Sequence, residues 1–204
     1  MKIKKLLFAS ALLFSAYNAS AQTQVIAHRG FWKTEGSAQN SIAALLKADS
    51  IGCYGSEFDV WLAADDQLVV NHDPTFKGKR MENSPSTALT AIKLDNGESL
   101  PTLAKYLKAA QPLHTRLILE LKAHSTPLRE TKAIEKIVAL VKDMGLEERM
   151  EYITFSLHAT KEFIRLAPEG TPVYYLDGNL SPKELKELGC AGPDYHYTVF
   201  RKHP

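Results

Sequence analysis

The sequence has few cysteines and no two of them close together. Only Cys53 and Cys190 occur in 204 residues, which excludes a soft-metal site built from neighbouring thiolates. In an oxidising compartment the two thiols could form a disulfide. Because Cys53 lies just before an apolar segment, we favour the interpretation that it is a small buried residue.

Long apolar runs are also scarce, and the single one is N-terminal. Residues 6–17 are mostly apolar, follow three lysines and lead to the small residues 19–21. A membrane anchor needs about 20 apolar residues, so the pattern predicts a secretory signal peptide at residues 1–21. Residue 22 is Gln rather than Cys, which argues against a lipid anchor. We therefore expect an exported protein, periplasmic or secreted, without a stable membrane anchor.

Net charge is low as well. The whole chain carries +2, and removing residues 1–21 takes away three lysines and no acidic residue, which leaves −1. We therefore expect no nucleic-acid partner. The sequence has no internal repeat and no low-complexity tract, so its length predicts one domain at residues 22–204.

Short β-rich segments alternate with helix-like segments along the chain. The predicted strands are 25–28, 56–60, 117–121, 152–156, 173–176 and 195–200, with a further arm at 68–71, and the clearest predicted helices are 41–50, 127–144 and 181–189. Such alternation is typical of a parallel sheet, open or closed into a barrel. Residues 60 and 68 are too close for a parallel crossover, so they predict a hairpin turning at Asp65 and Asp66. Residues 74–112, with many polar residues, Pro and Gly, are predicted to be an insertion.

Three acidic residues stand within predicted strands. Glu57 and Asp59 are two residues apart, so their side chains face the same way, and Glu120 lies near the end of a later strand. Carboxylates without thiolates suit a hard cation such as Mg²⁺ or Ca²⁺. For Glu57 and Asp59 taken alone, a solvated strand face with salt bridges is an equally good interpretation.

Two histidines follow predicted strands. His28 ends the segment Val25 to His28, and His72 follows the hairpin. A histidine exchanges protons near neutral pH, so two of them can act as base and acid in one reaction. Arg29, beside His28, offers donors suited to a phosphate. A lone histidine at a strand end is usually structural, but two of them with acids nearby favour a catalytic site.

Five short motifs resemble those of the glycerophosphodiester phosphodiesterase family in order and spacing. They are Val25-Ile26-Ala27-His28-Arg29-Gly30, Glu57-Phe58-Asp59-Val60, Leu68-Val69-Val70-Asn71-His72-Asp73, Leu100-Pro101-Thr102-Leu103 and Leu119-Glu120-Leu121-Lys122. The resemblance covers roughly residues 25–200. It implies a TIM-type (β/α)₈ barrel that hydrolyses glycerophosphodiesters to glycerol 3-phosphate and an alcohol, with an insertion after His72.

The resemblance also implies roles for seven residues. Glu57, Asp59 and Glu120 would hold one divalent cation, Ca²⁺ or Mg²⁺, while His28 and His72 would be the general base and acid. Arg29 and Lys122 would hold the phosphate of a small-molecule glycerophosphodiester. These roles are chemically consistent, because a cation and an arginine neutralise the charge that builds on the phosphoryl oxygens.

The sequence departs from the family pattern in two places. The family's Pro-Glu-Asn-Thr segment is replaced by residues that keep Asn40 but have Gln39 in place of the acid. The six predicted barrel strands are two fewer than a complete barrel has, so we expect a C-terminally truncated barrel. Two alternatives to the hydrolase follow: a non-catalytic remnant that binds a metal or phosphorylated ligand, and a phospholipase-D-like enzyme acting on intact lipid.

Overall fold

The computed structural model describes residues 23–202, so the predicted signal peptide at residues 1–21 lies outside the described residues. The strands are β1 (Ile26–Ala27), β2 (Gly55–Leu62), β3 (Leu68–Val70), β4 (Thr75–Phe76), β5 (Lys79–Arg80), β6 (Arg116–Leu121), β7 (Met150–Thr154), β8 (Val173–Tyr175) and β9 (Gly192–Pro193). The α-helices are α1 (Ile42–Ser50), α2 (Ser86–Thr90), α3 (Leu103–Ala110), α4 (Pro127–Asp143), α5 (Leu157–Leu166), α6 (Pro182–Leu188) and α7 (Tyr197–Lys202). Two 3₁₀ helices span Met81–Asn83 and Glu147–Arg149.

The main sheet has the order β1-β2-β6-β7-β8-β9, and all neighbours in this series are parallel. Strand β3 pairs antiparallel with the carboxyl-terminal part of β2, where Val60 lies opposite Val70. The predicted hairpin is therefore confirmed, and Asp66 takes a positive φ of 61° in its turn. The prediction of a TIM-type barrel with about six strands is confirmed as a parallel half-barrel with helices.

The helices cover the outer face of the half-barrel, where the main core lies. Phe58 and Val60 of β2 point into this core beside Leu119 of β6. The adjacent residues Glu57 and Asp59 point to the opposite, inner face because strand side chains alternate. Burial of the apolar side therefore fixes the register that places acids inside the half-barrel.

One predicted strand is wrong. Residues 195–200 were expected to form the sixth strand, but Tyr197–Lys202 is helix α7 and the sixth strand is Gly192–Pro193. Tyrosine, valine and phenylalanine are typical of strands, which produced the expectation. In the structure a tertiary contact outweighs that preference, because Val199 packs in a small cluster with Tyr175, Leu185 and Tyr195.

The predicted insertion has two parts. Residues 75–90 hold the β4–β5 hairpin, a 3₁₀ helix and α2, and Met81 and Leu89 pack on Trp61 and Val69 in a second core cluster. Helix α3 instead belongs to the main core, into which it buries one apolar face. The helical spacing of that face was hidden by the polar residues around it.

Two further observations concern the state of the two cysteines and the membrane anchor. Cys53 and Cys190 are both free and half-buried. Among residues 23–202, no helix combines the length and the apolar character that a bilayer crossing requires.

Candidate active site

Three carboxylates meet on the inner face of the sheet. Asp59 of β2 lies directly beside Glu120 of β6 in the parallel register, and Glu57 is two residues earlier on the same face. One oxygen atom from each lies within 4.8 Å of the others. All three residues are buried, Asp59 completely. The alternative of a solvated strand face is therefore wrong for Glu57 and Asp59.

Two cations lie beside this cluster. Lys122 Nζ is 2.7 Å from Glu120 Oε1 and 3.3 Å from Asp59 Oδ1. Arg29 Nε is 3.9 Å from Asp59 Oδ2. Three carboxylates against two cations leave an excess of negative charge at a buried position, which must be balanced by a proton or another cation.

The pKa shifts of Glu57 and Glu120 agree with an excess of negative charge in the cluster. Burial and repulsion from Asp59 raise the pKa of Glu57 well above its ordinary value. Burial raises the pKa of Glu120 to about 7, with the Lys122 ammonium opposing the shift. Glu57 Oε1 is a buried oxygen that no donor reaches, whereas Glu120 Oε1 has the Lys122 ammonium at 2.7 Å. The free oxygen of Glu57 and the excess negative charge together make this a cluster that could hold a metal ion.

The turn after β1 brings His28 and Arg29 to the cluster. The Arg29 backbone N–H donates to Glu57 Oε2 at 2.7 Å, and His28 Nε2 is 3.9 Å from the same oxygen. The His28 side chain is 68% exposed, so a substrate can reach it. Partial desolvation and the Arg29 charge lower the pKa of His28, which favours the neutral ring at neutral pH.

His72 lies two residues after the end of β3. Its Nδ1 is 2.7 Å from Asp73 Oδ1, which orients the ring and leaves Nε2 available. Its backbone carbonyl accepts a 3.4 Å hydrogen bond from the Trp61 indole. His72 is close enough to His28 for its charge to lower the pKa of that ring. The two predicted histidines therefore lie around one site.

Comparison with solved structures identifies the family. A glycerophosphodiester phosphodiesterase from Parabacteroides distasonis ATCC 8503 is 55% identical with a TM-score of 0.87, over 89% of this chain and 76% of that one. The chain belongs to the glycerophosphodiester phosphodiesterase family. An Oleispira antarctica phosphodiesterase, solved in complex with the product sn-glycerol-3-phosphate, is 26% identical with a TM-score of 0.73, over 87% of this chain and 76% of that one.

A curated relative gives the same family name. A glycerophosphodiester phosphodiesterase from Caldanaerobacter subterraneus subsp. tengcongensis is 30% identical over 161 residues, which are 72% of this chain and 64% of that protein. This chain thus spans less than two thirds of that relative's length. No protein-family model matches the sequence. The family predicted from the five motifs is confirmed.

Gln39 and Asn40, where the chain partly departs from the family pattern, both contact the site. Arg29 Nη1 donates to Gln39 Oε1 at 2.5 Å, so the amide contacts the arginine without adding charge. Asn40 Nδ2 donates to Asp59 Oδ2 at 2.9 Å, and Asn40 Oδ1 accepts the Asp59 backbone N–H at 3.1 Å. Asn40 has a positive φ of 60°, a conformation that asparagine tolerates better than most residues.

A cavity of about 280 Å³ adjoins these residues. Its lining includes Gln39, Asn40 and His72, together with the aromatic rings of Trp32 and Phe76. The insertion contributes Phe76 to this wall, so the segment after His72 shapes the site as well as its own small core. The sequence pattern did not predict this wall, because residues 32 and 76 are far apart in the chain.

Proposed function

We propose that this chain hydrolyses glycerophosphodiesters to glycerol 3-phosphate and an alcohol. The observation that carries the proposal is a buried three-carboxylate cluster in which Asp59 and Glu120 lie toward the carboxyl ends of parallel strands, with His28 beside the cluster and His72 near His28. Active sites of (β/α)₈ barrels are built at that end. Membership of the family and the product complex of the Oleispira antarctica relative support the same substrate class.

The carboxylate cluster fits a divalent cation, and Glu57, Asp59 and Glu120 would hold it. Oxygen-only ligands suit Ca²⁺ or Mg²⁺, and Glu57 Oε1, which no donor reaches, remains free for coordination. When bound, the cation would neutralise charge on the phosphoryl oxygens. Arg29 and Lys122 already lie at this cluster and would hold the phosphate beside it.

His28 is the base and His72 the acid in this proposal. The lowered pKa of His28 keeps its ring neutral and able to remove a proton from the attacking oxygen. This oxygen is that of water, or that of the substrate's glycerol hydroxyl, in which case water then opens the cyclic phosphate to give glycerol 3-phosphate. The Asp73 carboxylate beside Nδ1 orients the His72 ring, and His72 would give its Nε2 proton to the leaving alkoxide. His28 thus takes up one proton at the attacking oxygen, and His72 gives up one proton at the leaving oxygen.

Release of glycerol 3-phosphate from glycerophosphocholine tests the proposal. The purified protein should release it with Ca²⁺ or Mg²⁺ and lose this activity with a chelator. His72→Ala should abolish turnover and leave metal binding intact, whereas His114→Ala, an exposed residue before β6, should behave like the wild type. No turnover from folded protein would contradict the proposed hydrolase activity. Full turnover by His72→Ala would contradict the role of His72 as the acid.

We also propose that residues 1–21 direct export and are removed. Their lysines, apolar run and small-residue end support this. Protein recovered from the periplasm or medium should begin at Gln22, and intact Met1 in the recovered protein would contradict it.

A further inference from the structure

His124 has both ring nitrogens engaged at the point where β2 and β6 end. It lies in the segment between β6 and α4, and no role was expected for it. Its Nε2 is 2.9 Å from the backbone nitrogen of Leu62, the last residue of β2. Its Nδ1 is 2.6 Å from the backbone carbonyl of Lys122.

These two partners fix the protonation of the ring. The Leu62 N–H can only donate, so Nε2 is an unprotonated acceptor, and the Lys122 carbonyl can only accept, so Nδ1 carries the proton. The ring is therefore the neutral Nδ1–H tautomer. Burial lowers the pKa of His124, in agreement with this geometry.

The ring occupies a place in the ladder between the two strands. The Lys122 N–H donates to the Val60 carbonyl at 3.1 Å, as parallel pairing requires. In an unbroken parallel ladder the next bond would join the Leu62 N–H directly to the Lys122 carbonyl. Here the imidazole lies between these two groups and bonds to each. The ring therefore replaces the direct bond between the strands at Lys122, the residue whose ammonium lies at the carboxylate cluster.

Neighbouring groups hold the inserted ring in place. It packs against Trp61 with the ring centres 5.3 Å apart, and the Trp61 indole donates to the His72 carbonyl. The His124 backbone N–H donates to Glu130 Oε1 at 3.2 Å, and Glu130 is itself buried. Thus His124 contacts the backbone of Lys122 directly and that of His72 through one tryptophan.

We propose that His124 is a positioning residue, whose neutral ring holds the ends of β2 and β6 apart and thereby sets the position of the Lys122 ammonium at the carboxylate cluster. This role rests on the proposed function, in which Lys122 holds the phosphate. A displacement of about 1 Å at such a group can lower the rate roughly 100-fold.

Two substitutions separate positioning from simple packing. His124→Phe keeps a ring against Trp61 but leaves the Leu62 N–H and the Lys122 carbonyl unpaired. His124→Gln carries one acceptor and one donor on a single amide and can bridge both groups. We expect His124→Phe to lower kcat roughly 10- to 100-fold, the usual effect of losing an outer-shell partner, with a much smaller change in KM. His124→Gln should recover most of the rate.

The control is His158→Phe, which alters a half-buried histidine on α5 whose ring forms a hydrogen bond with the Thr131 hydroxyl. It should keep the wild-type kcat. The proposal is overturned if His124→Phe keeps the wild-type kcat. It is also overturned if His124→Gln is as slow as His124→Phe, because the two restored hydrogen bonds then do not restore the position of Lys122.

A second readout does not depend on turnover. Nitrogen-15 NMR of the histidine rings at pH 7 should show His124 as the Nδ1–H tautomer, and an Nε2–H ring or rapid exchange between tautomers overturns the inserted geometry. If the wild type turns over no glycerophosphodiester, the proposed function fails. The tautomer measurement still decides whether the ring bridges the two strands.

Discussion

Glu57 is a buried carboxylate with one oxygen that no donor reaches. Its raised pKa means that ionising it costs folding free energy. Glu57→Gln removes that charge while keeping an oxygen for the Arg29 backbone N–H. We expect the chelator-treated variant to unfold a few degrees higher than the wild type at pH 8, since about 1 kcal/mol moves the midpoint by about 2–4 °C in a domain of this size.

Glu57→Gln should also remove the effect of a divalent cation on the unfolding midpoint. Ca²⁺ or Mg²⁺ should raise the unfolding midpoint of the wild type and leave that of Glu57→Gln nearly unchanged, because one of three ligands is lost. Thermal unfolding with chelator and with each cation measures both effects. A lower midpoint together with an intact metal response would show that Glu57 serves stability rather than cation binding.

Glu120 should make the stabilisation of the folded state by a divalent cation depend on pH. Its pKa is raised from the ordinary value of 4.5 to about 7, so the folded state holds this proton more tightly than the unfolded state. The stabilising contribution is fully present below pH 4.5 and is lost as pH rises to about 7. A divalent cation needs the ionised carboxylate, so its stabilisation should grow over the same interval.

Unfolding midpoints at pH 5 and pH 8, each with chelator and with Ca²⁺, test this expectation. The rise caused by Ca²⁺ should be larger at pH 8. Comparison with Glu120→Gln separates the effect of this carboxyl from that of other groups that titrate in the same range, since the variant lacks the carboxyl whose pKa is raised. An equal rise at both pH values would mean that Glu120 is ionised throughout.

At the scale of elements, the turn after β1 depends on a close approach to α1. Gly30 has a φ of +75°, and a Cβ added there would lie 2.7 Å from the Ala44 Cβ. Gly97 has a similar φ of +85° but no atom within 4 Å of its added Cβ. Both Gly→Ala changes carry the cost of a positive φ, and only Gly30→Ala adds a steric clash.

We expect Gly30→Ala to lower the free energy of unfolding by about 1–3 kcal/mol more than Gly97→Ala, the usual cost of overpacking. Turnover should fall as well, because the adjacent Arg29 N–H donates to Glu57. Urea unfolding of both variants measures the difference. Equal losses would show that backbone conformation, rather than contact with α1, determines the choice of glycine.

The strands carrying the carboxylates could be predicted because two simple rules agree on them. Period-two alternation puts Glu57 and Asp59 on one face, and parallel pairing puts Asp59 beside Glu120. Strand β9 escaped prediction because Gly192–Pro193 is too short and has residues that are rare in strands. Its neighbour α7 has strand-like residues that a tertiary contact holds in a helix.

Details of the site that arise from tertiary contact could not be predicted. The Asn40 amide binds Asp59 across 19 positions of sequence, and the His124 ring lies between two strand ends. Neither residue has a local pattern that distinguishes it from an ordinary loop residue. The motif around Lys122 indicated a phosphate contact but not that its ammonium lies between two carboxylates.

At the scale of the whole molecule, the inner face of the half-barrel has a second ion pair, which Glu151 forms with the first residue of β6. Glu151 accepts hydrogen bonds from Arg116 Nε at 2.5 Å and from the Tyr54 hydroxyl at 2.7 Å. Arg116 begins β6, the strand whose other end carries Glu120. In (β/α)₈ barrels the amino-terminal face serves stability and the carboxyl-terminal face serves catalysis. Glu151 is level with Glu57 in the strand register, but its partners Arg116 and Tyr54 lie on the amino-terminal side of the sheet.

Glu151→Gln is the same chemical change as Glu57→Gln at an equally buried position, since both residues are 4% exposed. Here the charge has well-placed partners, so we expect the free energy of unfolding to fall by about 1.5–3 kcal/mol, the contribution of hydrogen bonds to charged groups. Turnover and the rise in midpoint with Ca²⁺ should remain at wild-type values below the unfolding transition. Urea unfolding and glycerol 3-phosphate release, measured on both variants, should therefore give opposite patterns. Loss of turnover in folded Glu151→Gln would mean instead that the two ends of the sheet are coupled through β6.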